Sequence, residues 1–151
     1  MRKEKSVNKR ILEAILAIAL AGAPASAFAA QATVSDAWFR ALPANLPAGG
    51  YFTLVNGGPV PIVLTGASSP ACGTLMLHKS ETANGMAQMT NAANIMIAPG
   101  ATLKFAPGGY HLMCMSPTPE MKPGTPVFVT LLFMDGSAIT APFLVKNARG
   151  Q

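Results

Sequence analysis

Sustained helical periodicity is missing from this sequence: beyond residue 30, no stretch repeats its apolar residues at the spacing of a helix face. Acidic side chains are scarce as well. Of the six in the chain, only Asp36, Glu81, Glu120 and Asp135 lie beyond residue 30, far apart in sequence. They offer no carboxylate pair for glycoside chemistry, and no nucleophile-elbow motif supports a Ser-His-Asp arrangement. The Gly-Gly pairs fall in strand turns rather than ahead of a helix, so a phosphate-cradling loop is absent. These absences argue against a hydrolase and, more broadly, against an enzyme.

The first thirty residues follow a different logic. A charged, mainly basic start, "MRKEKSVNKR", leads into the apolar run "AILAIALAGA" and then into "APASAFAAQA", rich in small residues. That order is the signature of a secretory signal peptide. Cleavage after Ala29 is the first choice and after Ala27 the second, giving a leader over 1–29 and one domain over 30–151. Glu13, at the edge of the apolar run, leaves an uncleaved anchor as the alternative. Five of the eleven Lys and Arg residues leave with such a leader. The remainder carries six basic and four acidic side chains, a net charge of +2. With no basic cluster left, nucleic acid is excluded as a partner. With no second apolar span, the product is expected in the periplasm, without stable membrane insertion.

What fills the rest of the chain is short apolar or alternating segments: "TVSDAWFR", "GYFTLVN", "PIVLTGA", "TLMLHKS", "MAQMT", "NIMIA", "TLKFA", "YHLMCM", "PVFVTLLFM" and "AITAPFLVK". Turn residues separate them, and Asn84-Gly85 and Asp135-Gly136 are strong hairpin signals. Many short strands at this spacing predict a single all-β domain, an antiparallel sandwich or barrel.

Only two histidines occur, His78 and His111, against eight methionines beyond residue 30. Methionine is often flexible core filler, and each histidine could be an ordinary strand residue. Strand alternation narrows the choice. In "GYHLMCM", His111, Met113 and Met115 share one face, with Leu112 and Cys114 on the other. A two-residue turn at Asn84-Gly85 would set Ser80 opposite Met89 and His78 opposite Asn91. His78 and Met89 then become diagonal neighbours. If the His111 strand lies beside this hairpin, two imidazoles and two or three thioethers converge. Such a soft nitrogen and sulfur set suits Cu(I) better than calcium, magnesium or zinc.

The spacing His78, ten residues, Met89, twenty-one residues, His111, one residue, Met113 is similar to the H-x10-M-x21-H-x-M signature of the periplasmic PCu(A)C-type copper chaperones. The flanking text resembles that family over nearly the whole domain, in "AWFRALP", "AGGYFTLVN", "LTGASSPAC", "NGMAQM", "APGATLKFAPGGYHLM" and "VFVTLLFMDG". The resemblance implies a cupredoxin-like β-sandwich holding one Cu(I) through His78, Met89, His111 and Met113. It further implies delivery of copper to the dinuclear centre of cytochrome c oxidase, in subunit II, or work beside a Sco-type thiol protein. Some members carry a His- and Met-rich C-terminal extension with a second copper site; here the chain ends "LVKNARGQ".

Cys72 and Cys114 are the only cysteines, and Cys114 stands where an aliphatic residue is expected. In an exported protein such a pair reads as a disulfide. If the two histidine strands run antiparallel with His78 opposite His111, Cys114 falls opposite Leu75, close to Cys72. A redox pair and two buried free thiols are the alternatives. Met86 and Met115 are expected as an apolar rim, with spare ligands as the alternative. Trp38, Phe39 and Tyr51 are expected in packing. The function expected is copper carriage; buffering without a recipient and a metal-free structural sandwich are the competing readings.

Overall fold

The computed structural model describes residues 31–151; the signal-peptide reading over 1–29 and its cleavage positions lie outside the described residues. Ten strands follow in chain order: β1 (Ala32–Arg40), β2 (Ala48–Asn56), β3 (Ile62–Ser68), β4 (Cys72–Ala83), β5 (Met86–Asn91), β6 (Ile95–Ile97), β7 (Thr102–Phe105), β8 (Tyr110–Pro117), β9 (Pro126–Phe133) and β10 (Ala138–Lys146). A single 3-10 turn, Pro43–Asn45, interrupts them. Each segment read as a strand is one, because Gly, Pro and Asn or Asp break the chain between short apolar runs.

The strands hydrogen-bond in the order β5-β4-β8-β7-β2-β1-β10-β9-β3-β6, with β8 also pairing to β2. The pairing is mostly antiparallel, as the sequence predicts. The sheet is not wholly antiparallel, because β1 runs parallel to β10, Trp38 opposite Leu144 and Arg40 opposite Lys146. The two ends of the domain lie side by side there, a long-range pairing that no turn signal encodes.

One face of the sheet encloses a single core. Phe52 stacks on Phe105 with ring centroids 4.3 Å apart, and Phe143 meets Phe52 edge-on at 5.6 Å and Phe39 at 5.4 Å. These rings come from β1, β2, β7 and β10, so they lock the centre of the sheet together; each contributes on the order of 2–3 kcal/mol by burial. Asn56, fully buried, closes one end: its amide donates to the carbonyls of Val60, Ile97 and Ala98, and its Oδ1 accepts from the Gly58 N–H.

Two irregularities position the outer face. A β-bulge in β1 falls between Ser35, opposite Thr53, and Trp38, opposite Tyr51. Asp36 there takes φ of 51°. The extra residue reverses the alternation of β1, so Phe39 enters the core while Trp38 and Arg40 face outward. The second is the Cys72–Cys114 disulfide, which ties β4 to β8 across 42 residues with Cα atoms 5.4 Å apart. Both cysteines lie on the buried face.

Candidate metal centre

The hairpin β4–β5 turns through Asn84 (φ 53°) and Gly85 (φ 76°), the pair of left-handed residues that a two-residue hairpin turn requires. This turn sets Ser80 opposite Met89 and His78 opposite Asn91. On its other side β4 pairs with β8, placing His78 directly opposite His111, Met76 opposite Met113 and Leu75 opposite Cys114. Alternation does the rest. Leu75, Leu77, Leu112 and Cys114 fill the core, while Met76, His78, Ser80, His111, Met113 and Met115 share the outer face. Three adjacent strands thus bring Met89, His78, His111 and Met113 into one patch.

The imidazoles are the informative part. Their ring centroids lie 5.7 Å apart with planes at 83°. His111 is only 5% exposed although it points away from the core. Its Nδ1 lies 3.1 Å from the Gly109 carbonyl. A carbonyl can only accept, so Nδ1 carries a proton, and in the neutral ring the lone pair is on Nε2. That Nε2 is buried without a partner in the protein, and so is Nδ1 of His78. Leaving a buried polar atom unpaired costs on the order of 1–3 kcal/mol. Two such atoms on facing rings therefore point to a ligand that completes both.

The remaining donors decide what kind of ligand. Met113 is half-buried beside His111, and Met89 is 61% exposed on the edge strand β5. Among the described residues, no group of three His, Cys, Asp or Glu side chains is placed to hold a metal. Glu81, the nearest acid in sequence, is taken by an ion pair with Lys79. A hard divalent cation would find no free carboxylate here, whereas neutral imidazole and thioether suit a soft monovalent ion. The residues fit a soft metal ion such as copper.

The patch opens onto a groove of about 300 Å³ whose walls include Arg40, Tyr51, Ser80, Met89, His111 and Met113. Met86 (63% exposed) and Met115 (37%) lie further out on β5 and β8. Sequence reading did not single out Met76 or Arg40. The first is placed by the β4–β8 register, and the second by a bulge that alternation could not anticipate. Trp38, half-buried, and Tyr51, 8% exposed, pack on each other on the groove face with centroids 4.7 Å apart, while Phe39 lies in the core. A larger cleft of about 390 Å³ has a single thioether, Met121, and no imidazole, thiol or carboxylate side chain in its lining.

Comparison with known proteins adds context to this geometry. The profile of the family described as "Putative lipoprotein LpqE-like" matches residues 32–145. "Putative lipoprotein Lxx21020" of Leifsonia xyli subsp. xyli is 36% identical over 118 residues, which are 78% of this chain and 70% of that protein. Among solved structures, the copper-bound PCuAC domain from PmoF2 shares the fold, with a TM-score of 0.64 at 22% identity over 78% of this chain and 93% of its own. The CuI-DR1885 protein from Deinococcus radiodurans superposes with a TM-score of 0.59 at 32% identity, over 73% of this chain and 74% of its own.

Proposed function

Since the chain belongs to the LpqE-like family and has the fold of PCuAC copper-chaperone domains, we propose that it is an exported metallochaperone carrying one Cu(I) on His78, Met89, His111 and Met113. The observation that carries this reading is the facing pair of buried, unpartnered imidazole nitrogens beside two thioethers. The CuI form of DR1885, 32% identical to this chain, supports the oxidation state.

The mechanism follows from the ligands. All four donors are neutral, so binding displaces a proton only where an imidazole is protonated, and the loaded site bears one positive charge. Strands fix His78, His111 and Met113, while Met89 stands exposed on an edge strand. An incoming ligand can replace Met89 while three donors still hold the ion, which permits transfer without release into solution. No catalytic step is required of this chain. We assign it to the periplasm. The recipient we favour is the dinuclear copper centre of cytochrome c oxidase subunit II, reached directly or through a Sco-type thiol protein. Copper buffering with the same site and no recipient is the second reading; transfer to a defined acceptor separates the two.

The test is an anaerobic Cu(I) competition titration of the protein against a chromophoric chelator, repeated on Met113→Leu and His111→Ala. One tight equivalent, sharply weakened in both variants, is expected. A parent protein that fails to compete for Cu(I) overturns the reading.

A further inference from the structure

Arg40 lies in register with the copper ligands on the same face of the sheet. It pairs with Gly49 across β1–β2, and Gly49 pairs with Met113 across β2–β8. The two side chains therefore flank a glycine, about 10 Å apart at their Cα atoms, or two strand spacings. Having no side chain, Gly49 lets the Tyr51 ring lie close over the strand between them. A Cβ there would come within 2.8 Å of the Tyr51 hydroxyl, so that phenol overhangs the same space. Arg40, Tyr51, His111 and Met113 all line the one groove.

The guanidinium is held but not neutralised. Its Cζ lies 5.6 Å from the centre of the Trp38 ring and 5.5 Å from that of Tyr51, a cation over a pair of aromatic rings. Lys146 adds a second cation 5.0 Å from the Trp38 ring. Nε of Arg40 is buried with no hydrogen-bond partner. Among the described residues the one ion pair is Lys79–Glu81, so no carboxylate answers Arg40. Stacking accounts for the orientation of the side chain but leaves its planar fork of donors unpaired. Such a fork matches a carboxylate in bidentate fashion.

We propose that Arg40 and the Gly49-floored groove form a carboxylate-binding subsite beside the metal centre, filled by an acidic side chain of the protein that takes the copper. This deepens the copper-carrier reading and rests on it. A carboxylate seated on Arg40 would bring the acceptor's ligands over Met89 and the histidine pair. It would also offset two like charges at once, the guanidinium and the loaded ion. The charge pair steers and orients docking, and its contribution falls with added salt.

Two arms test the subsite. In the first, Cu(I)-loaded protein is mixed in a stopped-flow instrument with bicinchoninate, which carries two carboxylates, or with uncharged neocuproine. The ratio of the two transfer rates cancels any change in intrinsic release. It should fall about fivefold or more in Arg40→Gln and fall less in Arg40→Lys, which keeps the charge but not the fork. An unchanged ratio overturns the proposal. The second arm needs no metal, so it stands even if copper binding fails. Trp38 is the only tryptophan in the chain and lies against Arg40, so its fluorescence reads the subsite directly. Glutarate added at constant ionic strength should change that emission saturably in the parent and not in Arg40→Gln. Identical responses, or none in the parent, overturn the proposal. Near-UV circular dichroism of Arg40→Gln guards against a collapsed variant.

Discussion

His111 donates from Nδ1 to the carbonyl of Gly109, in the turn just before its strand, at 3.1 Å. This contact selects one tautomer of the neutral ring and leaves the buried Nε2 free, on the groove that Met89 and Met113 also line. The backbone thus does what a carboxylate or carbonyl behind a metal-bound histidine commonly does. Silver(I), a redox-inert stand-in for Cu(I), should therefore move the Nε2 resonance of His111 in nitrogen-15 spectra while the Nδ1–H signal persists. Loss of the Nδ1 proton on loading would show that the other nitrogen binds.

The two methionines differ in setting. Met113 is half-buried on an internal strand and flanked by Met76, whereas Met89 is 61% exposed on the edge strand β5. Replacing Met113 by Leu should weaken Cu(I) binding by about two orders of magnitude. Met89→Leu should cost about tenfold, since water or a neighbouring thioether can take its place; the range follows typical losses around metal sites. Competition titration of both variants under one chelator gives the ratio, and equal losses would remove Met89 as the departing ligand.

Much of this arrangement is legible from the sequence because it depends on local rules. Asn84-Gly85 dictates the turn, the turn dictates that Ser80 faces Met89, and alternation carries His111 and Met113 to one face. With His78 opposite His111, the position of Cys114 against Leu75 follows by counting. Where reading fails, the cause is non-local. The bulge at Asp36 reverses the alternation of β1, so nothing in "TVSDAWFR" reveals that Arg40 shares a face with Met113. The parallel pairing of β1 with β10 joins residues about a hundred positions apart without a hairpin to announce it. The burial of His111 likewise depends on side chains from other strands.

The disulfide should matter for stability and not for the metal. Cys72 and Cys114 face the core, while His78, His111 and Met113 face outward from the same two strands. A bridge closing 42 residues contributes about 4 kcal/mol by restricting the unfolded chain. The double variant Cys72→Ala, Cys114→Ala should lose roughly that much in denaturant titration yet still bind one equivalent of Cu(I). Loss of binding by a variant that remains folded would instead give the cysteines a part in coordination.

Adjacent glycines in β2 separate the core from the groove. A methyl group on Gly50 would sit 2.6 Å from Cε1 of Phe39 and 2.9 Å from Cβ of Leu112. Both neighbours are fully buried and hemmed in, so Gly50→Ala should destabilise the fold by about 3 kcal/mol through overpacking. On Gly49 the same methyl meets only the hydroxyl end of Tyr51, at 2.8 Å. That side chain lies on the groove side, outside the core, so Gly49→Ala should cost less than Gly50→Ala, about 1–2 kcal/mol of stability. Its effect should appear in the groove, as altered Trp38 emission through the Trp38–Tyr51 contact. Urea unfolding of the two variants, followed by Trp38 fluorescence, checks both expectations at once. If the two substitutions destabilise the protein equally, the floor between Arg40 and Met113 is part of the packed core and not an open surface.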